Sequence, residues 1–306
     1  MTSFTTPTIS GAWKHMYNPN QSKFTQRFNW INRNRWYTND HTLVKTSDGI
    51  WHGYGIIGFR IFKQAFAWII EQNLFHISSP TLYSDSWIEH DYALVASRSQ
   101  GEKFLWAPHV INVEDRLYMF YSVGNIRPFA KLVASHGNIH LATSTDGINW
   151  IRDERNPQFS GPGHARDTML LQINGEYYIY YTQTVNDKDK HSCIAVRKSK
   201  DLKRWSGPKI VQIQPWKRWH WAGNAESPFV VQKGEIFYLF SCLAQESYNR
   251  TAVYWSQDPE NFPLSNHVCD LPTHASEILF DEKEGWFITN TGWDKKGLYI
   301  APLLWD

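Results

Sequence analysis

Three carboxylic acids, Asp40, Asp167 and Glu226, each open a short apolar run in a phrase that recurs along the chain. Cleaving an acetal bond to a sugar needs such a set. One acid holds a proton for the leaving oxygen, and one carboxylate acts across the anomeric carbon. The proton donor must stay protonated near neutral pH, so burial or a neighbouring negative charge has to raise its pKa. A third carboxylate beside it supplies that charge. Taken singly, an Asp or Glu at the start of a strand is a turn or cap residue. Three of them at equivalent points of a repeat point to a site, provided the fold gathers those points. Asp48, Asp115 and Glu282 are the contrast, falling in turns where solvated acids are expected.

The recurring phrase is a polar opener, an apolar strand, a turn and an aromatic-rich strand. Its copies are DHTLVKTSDGIWHGYGI from Asp40, PHVINVEDRLYMFYSVG from Pro108, DTMLLQINGEYYIYYTQT from Asp167, ESPFVVQKGEIFYLFSC from Glu226 and SEILFDEKEGWFITNTGW from Ser276. The openers Asp40, His109, Asp167, Glu226 and Glu277 recur at intervals of roughly 50–70 residues, a period that means radial or solenoid architecture. Each repeat has a second half that closes on an aromatic: Trp87, Trp150, Trp205 and Phe262. Repetition is what packing demands, so the three Trp read as blade core. The bulky run YYIYY at 177–181 suits a strand buried on both faces. About four antiparallel strands per repeat, five times over, predict an all-β, five-bladed β-propeller. The repeat leaves no room for a second domain. Residues 1–306 are therefore read as one propeller, with the first ~35 supplying an edge or closing strand.

Bulk properties narrow the function. A net charge of +2 and a pI of about 8.3 give no argument for nucleic acid. The basic stretch KSKDLKRW (198–205) reads as a solvated outer loop, and PWKRWHW (215–221) as part of a cavity mouth. Cys193, Cys242 and Cys269 make neither a disulfide framework nor a metal spacing. The N-terminus shows no signal peptide, and the longest apolar stretch, near FAWII (66–70), is too short to span a bilayer. The expectation is a cytoplasmic protein without a membrane partner, acting on a small molecule or oligosaccharide. The segment from Gly58 to Phe75 has a pattern that suits a lid, an inter-subunit contact or a helix at the cavity edge.

Six of the 13 histidines, His41, His52, His109, His164, His220 and His274, lie in or near the inner-strand motifs. No HExxH motif or close His pair predicts a metal site. Lone histidines on strands are more often hydrogen-bonded structural groups. His109 and His274, at or just before blade openings, are the better candidates for substrate contact, and His41 joins them beside Asp40. Trp51, Trp106, Trp221 and Trp293 are candidate stacking platforms for a sugar ring, and Glu277 a candidate cavity-lining group.

The motifs NDH (39–41), WAPHV (106–110), ARDTM (165–169) and AESPFV (225–230) resemble those of five-bladed propeller glycosidases. These are the family 43 arabinanases and β-xylosidases together with the family 32 and 68 β-fructosidases. The resemblance covers nearly the whole chain. It implies Asp40 as general base or nucleophile, Asp167 as the carboxylate tuning the acid, and Glu226 as general acid. It also implies Arg166 at a sugar hydroxyl or a carboxylate, and no organic cofactor. His274 resembles a fifth-blade His that faces a central hydrated ion, which leaves room for an axial calcium or sodium. There are departures. His109 stands where family 43 usually has Asp, Thr168 replaces the Pro of the fructosidase RDP, and the fructosidase WMNDPNG box is reduced to TNDH.

The leading expectation is a glycoside hydrolase that cleaves a terminal furanoside or pentoside bond. One alternative is a repurposed propeller using the same acids for a cyclisation or elimination on a non-sugar metabolite. Another is a non-catalytic sugar-binding propeller.

Overall fold

The structure, a computed structural model, describes residues 4–27, 35–60, 71–125, 136–186, 191–214, 225–243, 248–292 and 294–306. Two short strands, β1 (Pro7–Ile9) and β2 (Lys14–Tyr17), precede the repeats. The first sheet holds β3 (Trp36–Lys45), β4 (Trp51–Phe59), β5 (Asn73–Ser79), β6 (Ile88–Glu89) and β7 (Leu94–Val95). The second holds β8 (Phe104–Val113), β9 (Arg116–Asn125), β10 (His136–Ser144), β11 (Ile151–Arg152) and β12 (Phe159–Ser160). The third is β13 (Ala165–Ile173), β14 (Glu176–Thr184), β15 (Ser192–Ser199) and β16 (Lys209–Ile213). The fourth is β17 (Glu226–Lys233), β18 (Ile236–Cys242), β19 (Thr251–Ser256) and β20 (His267–Leu271). The last contains β21 (Ile278–Asp281), β22 (Gly285–Asn290) and β23 (Leu298–Trp305). These antiparallel sheets are the five blades of a β-propeller.

Both ends of the chain meet in the last blade. β1 and β2 pair with β23, and Thr6 and Asp306 exchange backbone hydrogen bonds of 2.7 and 3.0 Å. The ring thus closes through a sheet shared by the two ends of the chain. No helix among the described residues is long and apolar enough to cross a membrane.

The aromatic excess is used between blades. In YYIYY, Tyr178 and Tyr180 pack toward the fourth blade, while Tyr177, Ile179 and Tyr181 pack toward the second. All five are buried, so a strand squeezed between two blades has no face left for polar residues. Burying each such side chain contributes roughly 1.5–3 kcal/mol. Trp150 meets Tyr54 edge-on at 5.3 Å and Trp205 meets Phe120 at 5.6 Å, each locking its blade to the preceding one. The Ser-x-Asp turns before these Trp cap themselves. Asp146 accepts from the Ile148 and Asn149 N–H groups, and Asp201 from those of Lys203 and Arg204. Hairpins between the first two strands turn tightly at Glu114–Asp115 and Asn174–Gly175, where every φ is positive as a type I′ turn requires.

Each innermost strand carries an irregularity at the same place. The ladder shifts between Thr38 and His41, Trp106 and His109, Arg166 and Met169, and Glu226 and Phe229. In the fifth blade the backbone bonds Thr291 N to His274 O and Thr289 N to Glu277 O continue the pattern. Ala107, Asp167, Ser227 and Ala275 hold φ of 43, 57, 49 and 46° there. The bulge corrects one expectation. Asp40, Asp167 and Glu226 do not occupy equivalent points: Asp40 is the second bulge residue, Asp167 the first, and Glu226 the residue before it. His109 and Glu277 follow the bulge. An extra residue re-aims the side chains around it, so the acids reach a common spot from three different positions of the motif.

Candidate active site

The bulges crowd the propeller axis. Asp40, His41, Ala107, Pro108, His109, Asp167, Thr168, Met169, Ser227, Pro228, Phe229, Ala275, Ser276 and Glu277 line one cavity, drawn from all five blades. Asp40 and Asp167 line it, Glu226 lies beside them, and the three acids are joined through two residues. Arg166 Nε lies 3.1 Å from Asp167 Oδ2, and its Nη2 donates to Glu226 Oε2 at 3.2 Å. Ser227 Oγ donates to Asp40 Oδ1 at 2.6 Å, and its backbone N–H donates to Asp167 Oδ2 at 3.2 Å. Asp167 and Glu226 are buried, and Asp40 is half-buried. Arg166 also bonds His164. It is therefore a clamp on two carboxylates.

Burial dominates the electrostatics. It raises the Asp40 carboxyl, with the Ser227 hydroxyl opposing. Asp167 is pushed up to about 6 by burial and by the charge of Asp40, against the pull of Arg166. Glu226 goes to about 8: burial and its two acidic neighbours outweigh Arg166. A carboxyl group that keeps its proton at neutral pH beside one, Asp167, that gives its own up more readily is the division of labour acid-assisted bond cleavage needs.

The other predicted residues separate into three groups. His41, His109 and Glu277 line the axial cavity. His109 Nδ1 lies 3.2 Å from Glu277 Oε1, and His41 Nε2 shares a 2.8 Å hydrogen bond with Thr289 Oγ1. Trp106 is half-buried at the position equivalent to Arg166 and Glu226. Its ring lies over Gly124, where a methyl group would overlap it. Trp51 is not a stacking platform. It sits at the far end of the first blade opposite Lys45, 5% exposed, in the core shared with Leu279 and Phe287. Trp221 and Trp293 lie outside the described residues, as do 61–70 of the Gly58–Phe75 segment and all of PWKRWHW.

His274 departs from its expected role. Its Nδ1 is bonded to Cys242 Sγ at 3.1 Å and its Nε2 to Asn39 Oδ1 at 3.1 Å, and it does not line the axial cavity. Both nitrogens are engaged, and burial pushes its pKa down to about 3, so it is a neutral link. Glu226, Cys242 and His274 place one ligand atom each within 4.8 Å of one another. Burial holds the thiol well above its usual range, so Cys242 stays protonated and bonded to His274. Sequence reading missed Tyr248, whose ring lies 4.3 Å from that of His274 and whose hydroxyl feels the charges of Glu226 and Asp40. It also missed Ser227 and Asn39, although both adjoin predicted acids.

The family described as Glycosyl hydrolases family 43 matches residues 58–289. No curated protein matches this chain in sequence. Among solved structures, a thermostable family-43 glycoside hydrolase superposes with a TM-score of 0.63 at 17% identity, covering 88% of this chain and 89% of its own. The GH32 β-fructofuranosidase of Bombyx mori gives 0.63 at 15%, covering 88% and 61%. The α-L-arabinofuranosidase of Lactobacillus brevis gives 0.67 at 12%, covering 90% and 93%. At such identities these likenesses establish the fold.

Proposed function

This chain belongs to glycosyl hydrolase family 43, and from that premise we propose that Asp40, Asp167 and Glu226 cleave a terminal glycosidic bond by acid/base chemistry. The bridging of the three acids by Arg166 and Ser227 carries the reading. Glu226, held protonated by burial, gives its proton to the glycosidic oxygen as the bond to the anomeric carbon breaks. Asp40 acts across that carbon, either as the base that takes a proton from the water attacking it or as the nucleophile whose ester water then hydrolyses, so water's oxygen ends on the anomeric carbon. Asp167 keeps negative charge beside Glu226, and Arg166 fixes both.

The similar structures include enzymes named for arabinofuranose and fructofuranose, which supports a furanoside or pentoside as substrate. Trp106, at the β8 position equivalent to Arg166 and Glu226, is the aromatic we assign to stacking on the sugar ring. The axial cavity also holds the Glu277 carboxylate and Ser276, whose buried Oγ has no partner among the described residues. That oxygen-rich set suits a hard cation such as calcium or sodium. Its charge would favour the ionised form of the acids above it.

The test is turnover of unactivated β-fructosides, α-arabinosides and β-xylosides by wild type, Asp40→Asn, Asp167→Asn and Glu226→Gln. Loss of about 10²-fold or more in the Asp40 and Glu226 variants is expected. A wild type inert on every glycoside, yet active in an elimination or cyclisation that needs Glu226, would overturn it.

A further inference from the structure

Ser227 sits between two acids that come from different blades. Its hydroxyl reaches Asp40, 187 residues away in sequence, at 2.6 Å, and its N–H reaches Asp167 at 3.2 Å. The second contact depends on backbone geometry. Ser227 is the first residue of the bulge in β17 and holds φ of 49°, a region that L residues enter at a cost. The equivalent bulge positions in the second and fifth blades hold Ala107 and Ala275 at φ 43 and 46°. Asp167 holds that place in the third blade at 57°, so the backbone conformation does not call for a hydroxyl. The hydroxyl is an addition to what the fold requires, and it is spent on Asp40.

We propose that Ser227 is a positioning residue for catalysis: its Oγ–H orients the Asp40 carboxylate and favours its ionised form, while its N–H fixes Asp167. The proposal rests on the reading of Asp40 as the carboxylate acting across the anomeric carbon. The groups facing Asp40 sort by sign. Asp167 and Glu226, from β13 and β17, oppose its ionisation when charged, as would the Tyr248 hydroxyl and the Cys242 thiol if they ionised. Arg166 favours it. Arg166 is bonded to Asp167 and Glu226, however, and Ser227 is the side chain that donates to Asp40 itself. A hydrogen bond to an ionised carboxylate is stronger than one to a neutral group. Losing it lifts the pKa, so the acidic limb of the pH–rate profile moves to higher pH.

The experiment compares kcat/KM against pH for wild type, Ser227→Ala and Ser227→Gly on the glycoside the enzyme turns over. Both substitutions keep the N–H and tolerate the positive φ, and both remove the hydroxyl. The acidic limb is expected to rise by about one pH unit in each, the scale of one hydrogen bond to a charged group. Melting temperatures report folding separately. If activity falls in both variants with the acidic limb unmoved, the role is structural and the proposal fails. Asp40→Asn separates the two readings. If that variant stays active, the assignment of Asp40 is wrong. If it is inactive while the serine variants keep the wild-type limb, only the serine proposal is overturned.

Discussion

Arg166 Nη2 donates to Glu226 Oε2 at 3.2 Å, so a carboxyl that holds its proton at neutral pH is bonded to a permanent cation. Two effects oppose each other here. Guanidinium charge favours the carboxylate, whereas burial and the neighbouring Asp167 and Asp40 disfavour it, and the second group wins. The arginine therefore holds Glu226 in place and keeps its pKa from rising further.

Replacing Arg166 with Gln removes that restraint. The Glu226 carboxyl should then titrate higher, carrying the alkaline limb of the pH–rate profile upward. Asp167 loses the partner that favours its charge and should protonate within the working range, lowering kcat by about tenfold or more, as for loss of a positioned acid/base component. An alkaline limb that stays put, or moves down, would contradict this balance. The limbs belong to the coupled acids together, so the shift and its sign are what the profile reads.

A second consequence concerns stability. The folded-state pKa of Glu226 is raised to about 8, above its ordinary value of 4.5. A raised carboxyl makes the unfolded chain release a proton that the folded chain keeps. Folding is therefore penalised progressively as pH climbs from the unfolded value to the folded one, and fully above it. Glu226→Gln removes the penalty while preserving shape. The variant should melt together with wild type near pH 4 and several degrees above it at pH 8–9, even though it is inactive. Calorimetry across that range checks it. A difference independent of pH would show that the site charge is not what strains the fold.

Much of this was legible in one dimension. The blades could be read because Tyr177 to Tyr181 sit between two neighbours and so cannot alternate with polar residues. The acids could be read because each lies at the mouth end of an innermost strand, where the motif is compact. Their relative placement could not. A bulge inserts a residue without changing the sequence pattern, so Asp40, Asp167 and Glu226 look equivalent when they are not. Trp51 was misread because an aromatic beside an inner motif has the same appearance whether it faces the axis or the neighbouring blade. Ser227 and Tyr248 carry no signal at all until ring closure brings distant blades together.

The buried histidines make the fold sensitive to acid. His52 Nδ1 and His76 Nε2 share a 2.8 Å hydrogen bond, and the His90 ring stacks on His76 at 4.3 Å. Burial first lowers all three; repulsion from His90 adds to it at His52 and at His76, which falls to about 2, and the charge of Lys23 adds to it at His90. Burial likewise lowers His41 and His140 to about 4. A depressed folded-state pKa means the unfolded chain takes up protons first. Stability is complete above the unfolded value of 6.5 and is lost as pH falls toward the folded ones. The melting temperature should therefore drop between about pH 6.5 and 4, the span between ordinary and depressed histidine values. His76→Gln should flatten that slope while lowering stability at pH 7.5. An unchanged slope in the variant would remove the histidine ladder as its cause.

Glu277 holds the axis from the fifth blade. Its Oε2 accepts from the Leu43 N–H at 2.7 Å in the first blade, and its Oε1 lies 3.2 Å from His109 Nδ1 in the second. The residue is 4% exposed, so water does not replace these bonds freely. Truncation in Glu277→Ala strands a backbone donor and an imidazole, at a cost of about 1–3 kcal/mol for each group left unsatisfied. Glu277→Gln keeps an acceptor for Leu43 and a polar group for His109, so it should lose much less. Leu43 lies on β3, the strand that carries Asp40, and loosening it should lower kcat more than it raises KM. Chemical denaturation and steady-state kinetics on the two variants decide the matter. Equal stability and kcat in both would mean that the axial carboxylate fills space without tying the blades to the catalytic strand.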